Sequence, residues 1–248
     1  MLSLVLVLLR HHLMSETFVI SDLHLNHRNI IKYRPQFSTV EEHDATITQN
    51  VLETVSKKDS LWLLGDCFFD EPSIQLLRLL KDKGVIVNWV LGNHDTDNAK
   101  RQRLIRQILQ EDLVFRVGSL FKRGGFWFSH HPVHPLELRN SFNVHGHVHA
   151  ATLPDNRYYN VSCENLNYTP ISYFYLKELF YGNGENNYIA PENITPANTT
   201  SNRPKFRCDW CGAPCKESGV QIPLDEIPCL EEYDETETKP TTCNNCKP

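Results

Sequence analysis

Five short apolar runs in this chain each end on residues that bind metals. They read FVISDLH, LWLLGD, NWVLGNHD, FWFSHH and FNVHGHVH. They close on Asp22 and His24, on Asp66, on Asn93-His94-Asp95, on His130-His131, and on His145, His147 and His149. Short apolar runs bounded by turn residues read as buried strands. In an open α/β sheet, ligands bind in the crevice outside the carboxyl ends of the strands. One histidine after one strand is commonly a core or solvated residue. Five strand ends in succession, each bearing a carboxylate, an amide or an imidazole, call for a fold that gathers those ends at one place.

The segments between the runs indicate how. Helical periodicity covers 41–58, with Ala45, Ile47, Val51, Leu52 and Val55 on one face. A second helix is predicted over 73–83, stopped by Gly84, and a third over 98–110. Runs 114–121 and 126–129 flank Lys122-Arg123-Gly124-Gly125 and read as a hairpin. Short runs at 142–144, 158–163 and 171–176 complete the pattern as strands only. Alternating strands and helices followed by strands predict an α/β layered fold, with mixed β-sheets flanked by helices.

A length of 248 residues suits one large domain with a small appendage. The expected division is an N-terminal extension over 1–14, the layered domain over 15–180, a linker over 181–204 rich in Asn, Gly, Pro and Thr, and a cysteine-rich tail over 205–248. The first nine residues, MLSLVLVLL, have signal-peptide length. Yet Arg10, His11 and His12 follow the run instead of preceding it, no small-x-small site follows, and Met14 offers a fresh start. A dispensable extension or mis-assigned start is therefore expected, and Cys-x-x-Cys spacing then points to a reducing cytoplasm, or a host's cytoplasm if the chain is viral. The sequons at Asn160, Asn167, Asn193 and Asn198 would matter only on export. No run of about 20 apolar residues exists, so no membrane partner is expected. The net charge of −5 supplies no global basic field for nucleic acid.

Histidines and cysteines are segregated. Ten of 12 His lie between His24 and His149, and six of 8 Cys lie between Cys208 and Cys246, which suggests two separate metal chemistries. In the first region Asp, Asn and His offer oxygen and nitrogen donors suited to Mn²⁺, Fe²⁺, Zn²⁺ or Ni²⁺. Asp22-x-His24 and His147-x-His149 have the spacing that puts two side chains on one side of an extended segment. Gly65, Gly92 and Gly146 allow tight turns beside the donors. Asp66, with two oxygens, suits a bridging position. His145 is expected to point away, His43 to sit on an exposed helix face, Asn50 to tether backbone, and Cys67 and Cys163 to be core residues.

Asp22-x-His24, Gly65-Asp66, Gly92-Asn93-His94-Asp95, His130 and Gly146-His147-x-His149 resemble, in order and spacing, the calcineurin-like metallophosphoesterase superfamily. The resemblance covers roughly 17–179. The opening, Ser21-Asp22-Leu23-His24-Leu25-Asn26-His27-Arg28-Asn29-Ile30-Ile31, is similar to small stand-alone bacterial and bacteriophage members. The resemblance implies two divalent metal ions. Asp22, His24 and His149 would hold the first, Asn93, His130 and His147 the second, and Asp66 would bridge them. A hydroxide between ions ~3.5–4 Å apart would attack phosphorus in line. His94 would act at the leaving oxygen, with Asp95 orienting it. Asp95 also fits a turn or helix cap after the strand, and the two roles are compatible. Asn93, His27 and Arg28 are candidate substrate contacts, with a structural hydrogen bond the other reading of His27 and a solvated surface position that of Arg28. The implied activity is hydrolysis of a phosphomonoester or phosphodiester. A nuclease or cyclic-nucleotide phosphodiesterase would use the same site, and a non-catalytic zinc-ribbon binding protein is the reading of a different class.

In the tail, Cys208-x-x-Cys211 and Cys243-x-x-Cys246 stand 31 residues apart. Each pair supplies half of a tetrahedral site, so one structural Zn²⁺ in a zinc-ribbon-like module is expected to fold a segment that has little core of its own. Cys215 and Cys229 remain unassigned, and disulfides are the alternative in an exported chain. Trp210, Lys205, Arg207 and Lys216 could meet nucleic acid, but the many Asp and Glu between 225 and 237 make protein docking or a stability cap at least as strong an expectation.

Overall fold

The computed structural model describes residues 15–181. The extension at 1–14, nearly all of the proposed linker, and the tail with Cys208, Cys211, Cys243 and Cys246 lie outside the described residues. In chain order the elements are β1 (Thr17–Ile20), α1 (Val40–Thr54), β2 (Ser60–Leu64), α2 (Gln75–Lys83), β3 (Ile86–Val90), α3 (Asn93–Thr96) and α4 (Ala99–Gln110). There follow β4 (Arg116–Gly118), β5 (Leu120–Arg123), β6 (Phe126–Ser129), α5 (Pro135–Leu138), β7 (Phe142–His145), β8 (Tyr158–Asn160), β9 (Ile171–Ser172) and α6 (Tyr173–Tyr181).

Two mixed sheets form, ordered β4-β3-β2-β1-β9 and β5-β6-β7-β8. β1 to β4 run parallel, and β9 closes that sheet antiparallel to β1. In the second sheet only the β5–β6 pair is antiparallel. The first sheet is covered on both faces, which is why its strands are almost continuously apolar. Side chains alternate along each strand. Ile20, Leu61, Leu63, Val87 and Trp89 point to the helical side, against Ile47 and Val51 of α1, Leu76, Leu77 and Leu80 of α2, and Leu104 and Ile108 of α4. Val19, Trp62, Leu64 and Val90 point the other way, against Phe126, Phe128 and Val144 of the second sheet and Leu176 of α6. The Trp62 ring lies 4.9 Å from that of Phe128 and 5.2 Å from that of Phe121, tying the sheets face to face.

Local chemistry sets the helix ends. The Thr39 hydroxyl accepts from the Glu42 N–H, and the Glu42 carboxylate reaches back to the Ser38 N–H, fixing the start of α1. The helix ends at Thr54, short of the expected 58. Val55 is extended, and the Asp59 carboxylate accepts from the Ser56 N–H in a competing turn. Gly84 closes α2 in the left-handed region at φ 77°, as its sequence position implies.

Two expectations about the second half need correction. The run 114–121 is not one strand. Arg116–Gly118 pairs with β3 in the first sheet and Leu120–Arg123 pairs with β6 in the second, so the chain changes sheets at Ser119. Nor is this half made of strands only. The run 171–176 gives a two-residue strand and then α6, because the Ser172 hydroxyl accepts from the N–H groups of Phe174 and Tyr175 and caps a helix. Among the described residues no helix is long and apolar enough to cross a membrane.

Candidate metal centre

The loops leaving β1 and β2 run side by side past the ends of their strands. Asp22 N–H donates to Gly65 O, His24 N–H to Asp66 O and Leu25 N–H to Cys67 O, each at 3.0 Å. From there Asp22, His24 and Asp66 turn their side chains toward the loops after β6 and β7. They do so from the left-handed region, with φ of 58°, 50° and 53°, and His147 and His149 join them at 71° and 50°. The i, i+2 spacing therefore does not work through an extended segment, as its periodicity suggested. It works through left-handed turns, which cost non-glycine residues of order 1–3 kcal/mol each and are found where a site demands them. Gly65, at φ 94°, is obligatory for a second reason: a Cβ there would lie 2.4 Å from His130 Nδ1.

Two groups of donor atoms result. Those of Asp22, His24 and His149 lie within 4.8 Å of one another, and so do those of Asp66, His130 and His147. Among the described residues Asp22 Oδ1 and His24 Nε2 are buried without a hydrogen-bond partner, and they stand 3.9 Å apart. Leaving buried polar atoms unsatisfied costs roughly 1–3 kcal/mol each, and a cation between these two would satisfy both. His130 Nε2 lies 3.1 Å from both Asp66 Oδ2 and Asn93 Oδ1. The donor set, carboxylate and amide oxygens with imidazole nitrogens, fits a pair of divalent cations.

The surrounding hydrogen bonds aim the donors inward. His130 Nδ1–H donates to Leu64 O at 2.8 Å, which turns Nε2 to the centre. His149 Nδ1–H donates to Glu164 Oε1 at 2.9 Å, which does the same. Asp22 Oδ2 accepts from the His147 N–H at 3.0 Å and lies 2.9 Å from Ser162 Oγ, so Oδ1 is the free oxygen. Partners of this kind fix tautomer and ring orientation in metal sites. Burial would push the Asp22 carboxyl up, but its contact with His24 and the charge of His130 outweigh it and hold the group far below the usual range. Burial pulls the His130 imidazole down, yet Asp66 and Asp22 outweigh it and raise it to about 9. His147 is brought down to about 4 by burial first and then by His131 and His130.

Asn93, His94 and Asp95 begin α3, and here one expectation fails. Asp95 does not orient His94. Its carboxylate is buried and accepts from the N–H groups of Gly92 at 2.7 Å, Asp66 at 2.9 Å and Cys67 at 3.3 Å, capping the helix and tying the β2 and β3 loops together. The Asp97 carboxylate stands beside His94 instead, with Oδ2 3.3 Å from Nδ1, because residues three apart share a helix face. His94 is half-exposed, its ring centroid is 5.9 Å from that of His24, and its N–H donates to Asp66 Oδ1 at 2.9 Å. His27 borders the first group, with Nδ1 3.2 Å from His24 Nδ1 and its ring stacked on Phe69 at 4.2 Å. Arg28 is exposed and makes no described contact with the cluster. The exposed His131 ring lies tilted against that of His147, with centroids 4.0 Å apart. His145 is buried and lies outside both donor groups, as expected. Asn50 tethers the Tyr168 carbonyl, and Cys67 and Cys163 are buried free thiols.

His43 is a further correction. It is fully buried, with Nε2 2.7 Å from Arg34 Nη1 and Nδ1 2.7 Å from Asp44 Oδ1. Sequence reading gave no role to Arg34 and Glu164 either. Arg34 is fully buried and pairs with Glu164 at 2.8 Å, and neither stands in a motif that would have marked it.

A family profile described as calcineurin-like phosphoesterase matches residues 16–217. An uncharacterized protein of Methanocaldococcus jannaschii is 35% identical, the match covering 64% of this chain and 88% of the relative. The gene 66 protein of Mycobacterium phage L5 is 37% identical over a shorter stretch, 33% of this chain and 41% of the phage protein. The crystal structure of a protein of unknown function from Aquifex aeolicus superposes with a TM-score of 0.52 at 24% identity, over 67% of this chain and all of that one, a likeness of fold alone. The profile spans the whole described domain, strand ends and donor groups included, and by that match the chain belongs to the calcineurin-like phosphoesterase family.

Proposed function

We propose that this chain hydrolyses phosphate esters at two divalent ions, one held by Asp22, His24 and His149, the other by Asn93, His130 and His147, with Asp66 between them. The observation that carries the reading is the pair of three-residue donor groups, one of which leaves Asp22 Oδ1 and His24 Nε2 buried and unpartnered. Bound there, divalent cations such as Mn²⁺ would lower the pKa of a water and neutralise charge on the phosphoryl oxygens. The chain's own residues do the rest. Glu164, Leu64 O and the His147 N–H keep His149, His130 and Asp22 turned inward. The His94 N–H steadies Asp66, and its half-exposed ring would give the leaving oxygen a proton from Nε2 while Asp97 holds Nδ1. His27, whose Nδ1 is 3.2 Å from His24 Nδ1, would contact a phosphoryl oxygen.

The proposed setting is a reducing cytoplasm, with Cys208, Cys211, Cys243 and Cys246 folding the 205–248 module around one Zn²⁺. The function is tested with mono-aryl and bis-aryl phosphate esters in Mn²⁺. Turnover is expected, and no turnover with Mn²⁺, Fe²⁺, Zn²⁺ or Ni²⁺ refutes the assignment. Cyclic nucleotides, dinucleotides and single-stranded nucleic acid in the same panel separate a general phosphoesterase from a nuclease or nucleotide phosphodiesterase.

A further inference from the structure

The two donor groups are held by different means. In the second, His130 leans on a neutral backbone carbonyl, Leu64 O. In the first, the support is a buried ion pair. Glu164 Oε1 accepts from His149 Nδ1–H at 2.9 Å and from Arg34 Nε–H at 2.8 Å. The Arg34 guanidinium is fully buried; Nη1 lies 2.7 Å from His43 Nε2, and its remaining contacts go to the same group. Nη2–H donates to Asp22 O at 2.7 Å and Nη1–H to Leu23 O at 3.3 Å, the two carbonyls that lie between the left-handed turns of Asp22 and His24. One Arg–Glu pair thus holds the backbone of two ligands and the ring of the third. Those residues come from the loops after β1 and β7, and Glu164 comes from the turn after β8, so no local sequence contact unites them.

Resting on the proposed metal site, we propose that Glu164, fixed by Arg34, is a positioning residue that sets the affinity of the first ion without contacting it. The carboxylate keeps His149 as the Nδ1–H tautomer, so Nε2 carries the lone pair that a cation needs, and its charge raises the basicity of that nitrogen. Among the described residues the second group has no such partner, so its ion is independent of Glu164. A plain structural ion pair would stabilise the chain but would not discriminate between the two ions.

Titration of the chelator-stripped full chain with Mn²⁺, followed by calorimetry, tests this. Glu164→Gln keeps the shape and one acceptor oxygen but removes the charge. One of the two binding steps is expected to weaken ten- to a hundredfold, the scale for lost outer partners of metal ligands. That step should be the one His149→Ala abolishes, while the other step stays as in the unaltered chain. Equal weakening of both steps, or none, overturns the proposal. An unaltered chain that binds no Mn²⁺ removes the proposed function as well, so the two failures are distinguishable. Imidazole ¹⁵N resonances of the unaltered, metal-free chain give a reading that needs no Glu164 variant to fold. His149 is expected as the Nδ1–H tautomer, and an Nε2–H tautomer there refutes the proposal.

Discussion

Gly146→Ala tests the centre at a residue that has no side chain to offer a metal. A Cβ at this position would lie 2.0 Å from Ser21 Oγ, 2.3 Å from Asp22 Oδ2 and 2.6 Å from Ser21 Cβ. Gly146 is outside the left-handed region, so alanine brings no backbone strain and the effect is contact alone. The crowded atoms are not free to swing away. The Ser21 hydroxyl donates to Leu64 O at 2.7 Å, and Asp22 Oδ2 receives the His147 N–H. Ordinary contact begins at 3.4 Å, so the carboxylate must retreat by roughly 1 Å, a misplacement that can cost on the order of 10²-fold in rate. Overpacking at a buried site costs about 1–3 kcal/mol, or a melting-point loss of very roughly 2–12 °C for a chain of this size. Phosphodiester hydrolysis in Mn²⁺, metal content and a thermal melt would be measured together. A variant that melts a few degrees lower, binds its ions more weakly and turns over about a hundredfold more slowly is expected. Full turnover with both ions bound would show that Asp22 is not a ligand.

Further outcomes are expected at neighbouring residues. His94→Ala should keep both ions in metal analysis and lose roughly 10²- to 10⁴-fold in turnover, the range for a group that transfers a proton; unchanged turnover refutes its role. Asp95→Ala strands three buried N–H donors and should lower unfolding stability by about 2 kcal/mol or more in denaturant titration. Asp97→Ala should stay within about 0.5 kcal/mol of the unaltered chain yet slow turnover through His94, and the reverse ranking would restore Asp95 as the orienting group. Without metal His130 is raised to about 9, so at lower pH it must lose a proton before it can bind an ion. Mn²⁺ affinity at the His130 site should therefore climb with pH and flatten above that value. A pH-independent Mn²⁺ affinity in calorimetry between pH 6 and 9 contradicts the assignment of His130 as a ligand.

The candidate donors were legible in the sequence, and most of their supports were not. Apolar runs that stop at Asp, Asn or His are local patterns, and the fold keeps them at strand ends. Donor atoms of Asp22, His24 and His149 come together, as do those of Asp66, His130 and His147. Arg34, Glu164 and His43 were not legible because charged residues read as surface until tertiary contacts bury and pair them. Asp95 and Asp97 both follow His94 closely, and only the turn of α3 decides which carboxylate meets the ring. The aromatic residues after Ser172 have strand propensity, and a single hydroxyl cap overrides it. The run 114–121 reads as one apolar stretch broken only by Arg116 and by Gly118-Ser119, and it is at that short break that the chain passes from one sheet to the other.

Five of the candidate donors, Asp22, His24, Asp66, His147 and His149, leave the backbone from the left-handed region, and this limits how the centre can be moved to another protein. Copying Asp-x-His and His-x-His onto regular strands of a different scaffold would keep the spacing and lose the aim, since each side chain would depart along another direction. A transplant must carry the paired loops after β1 and β2 and the glycines that let them close, together with their turns. The portable unit is a stretch of main chain, and the side chains travel with it.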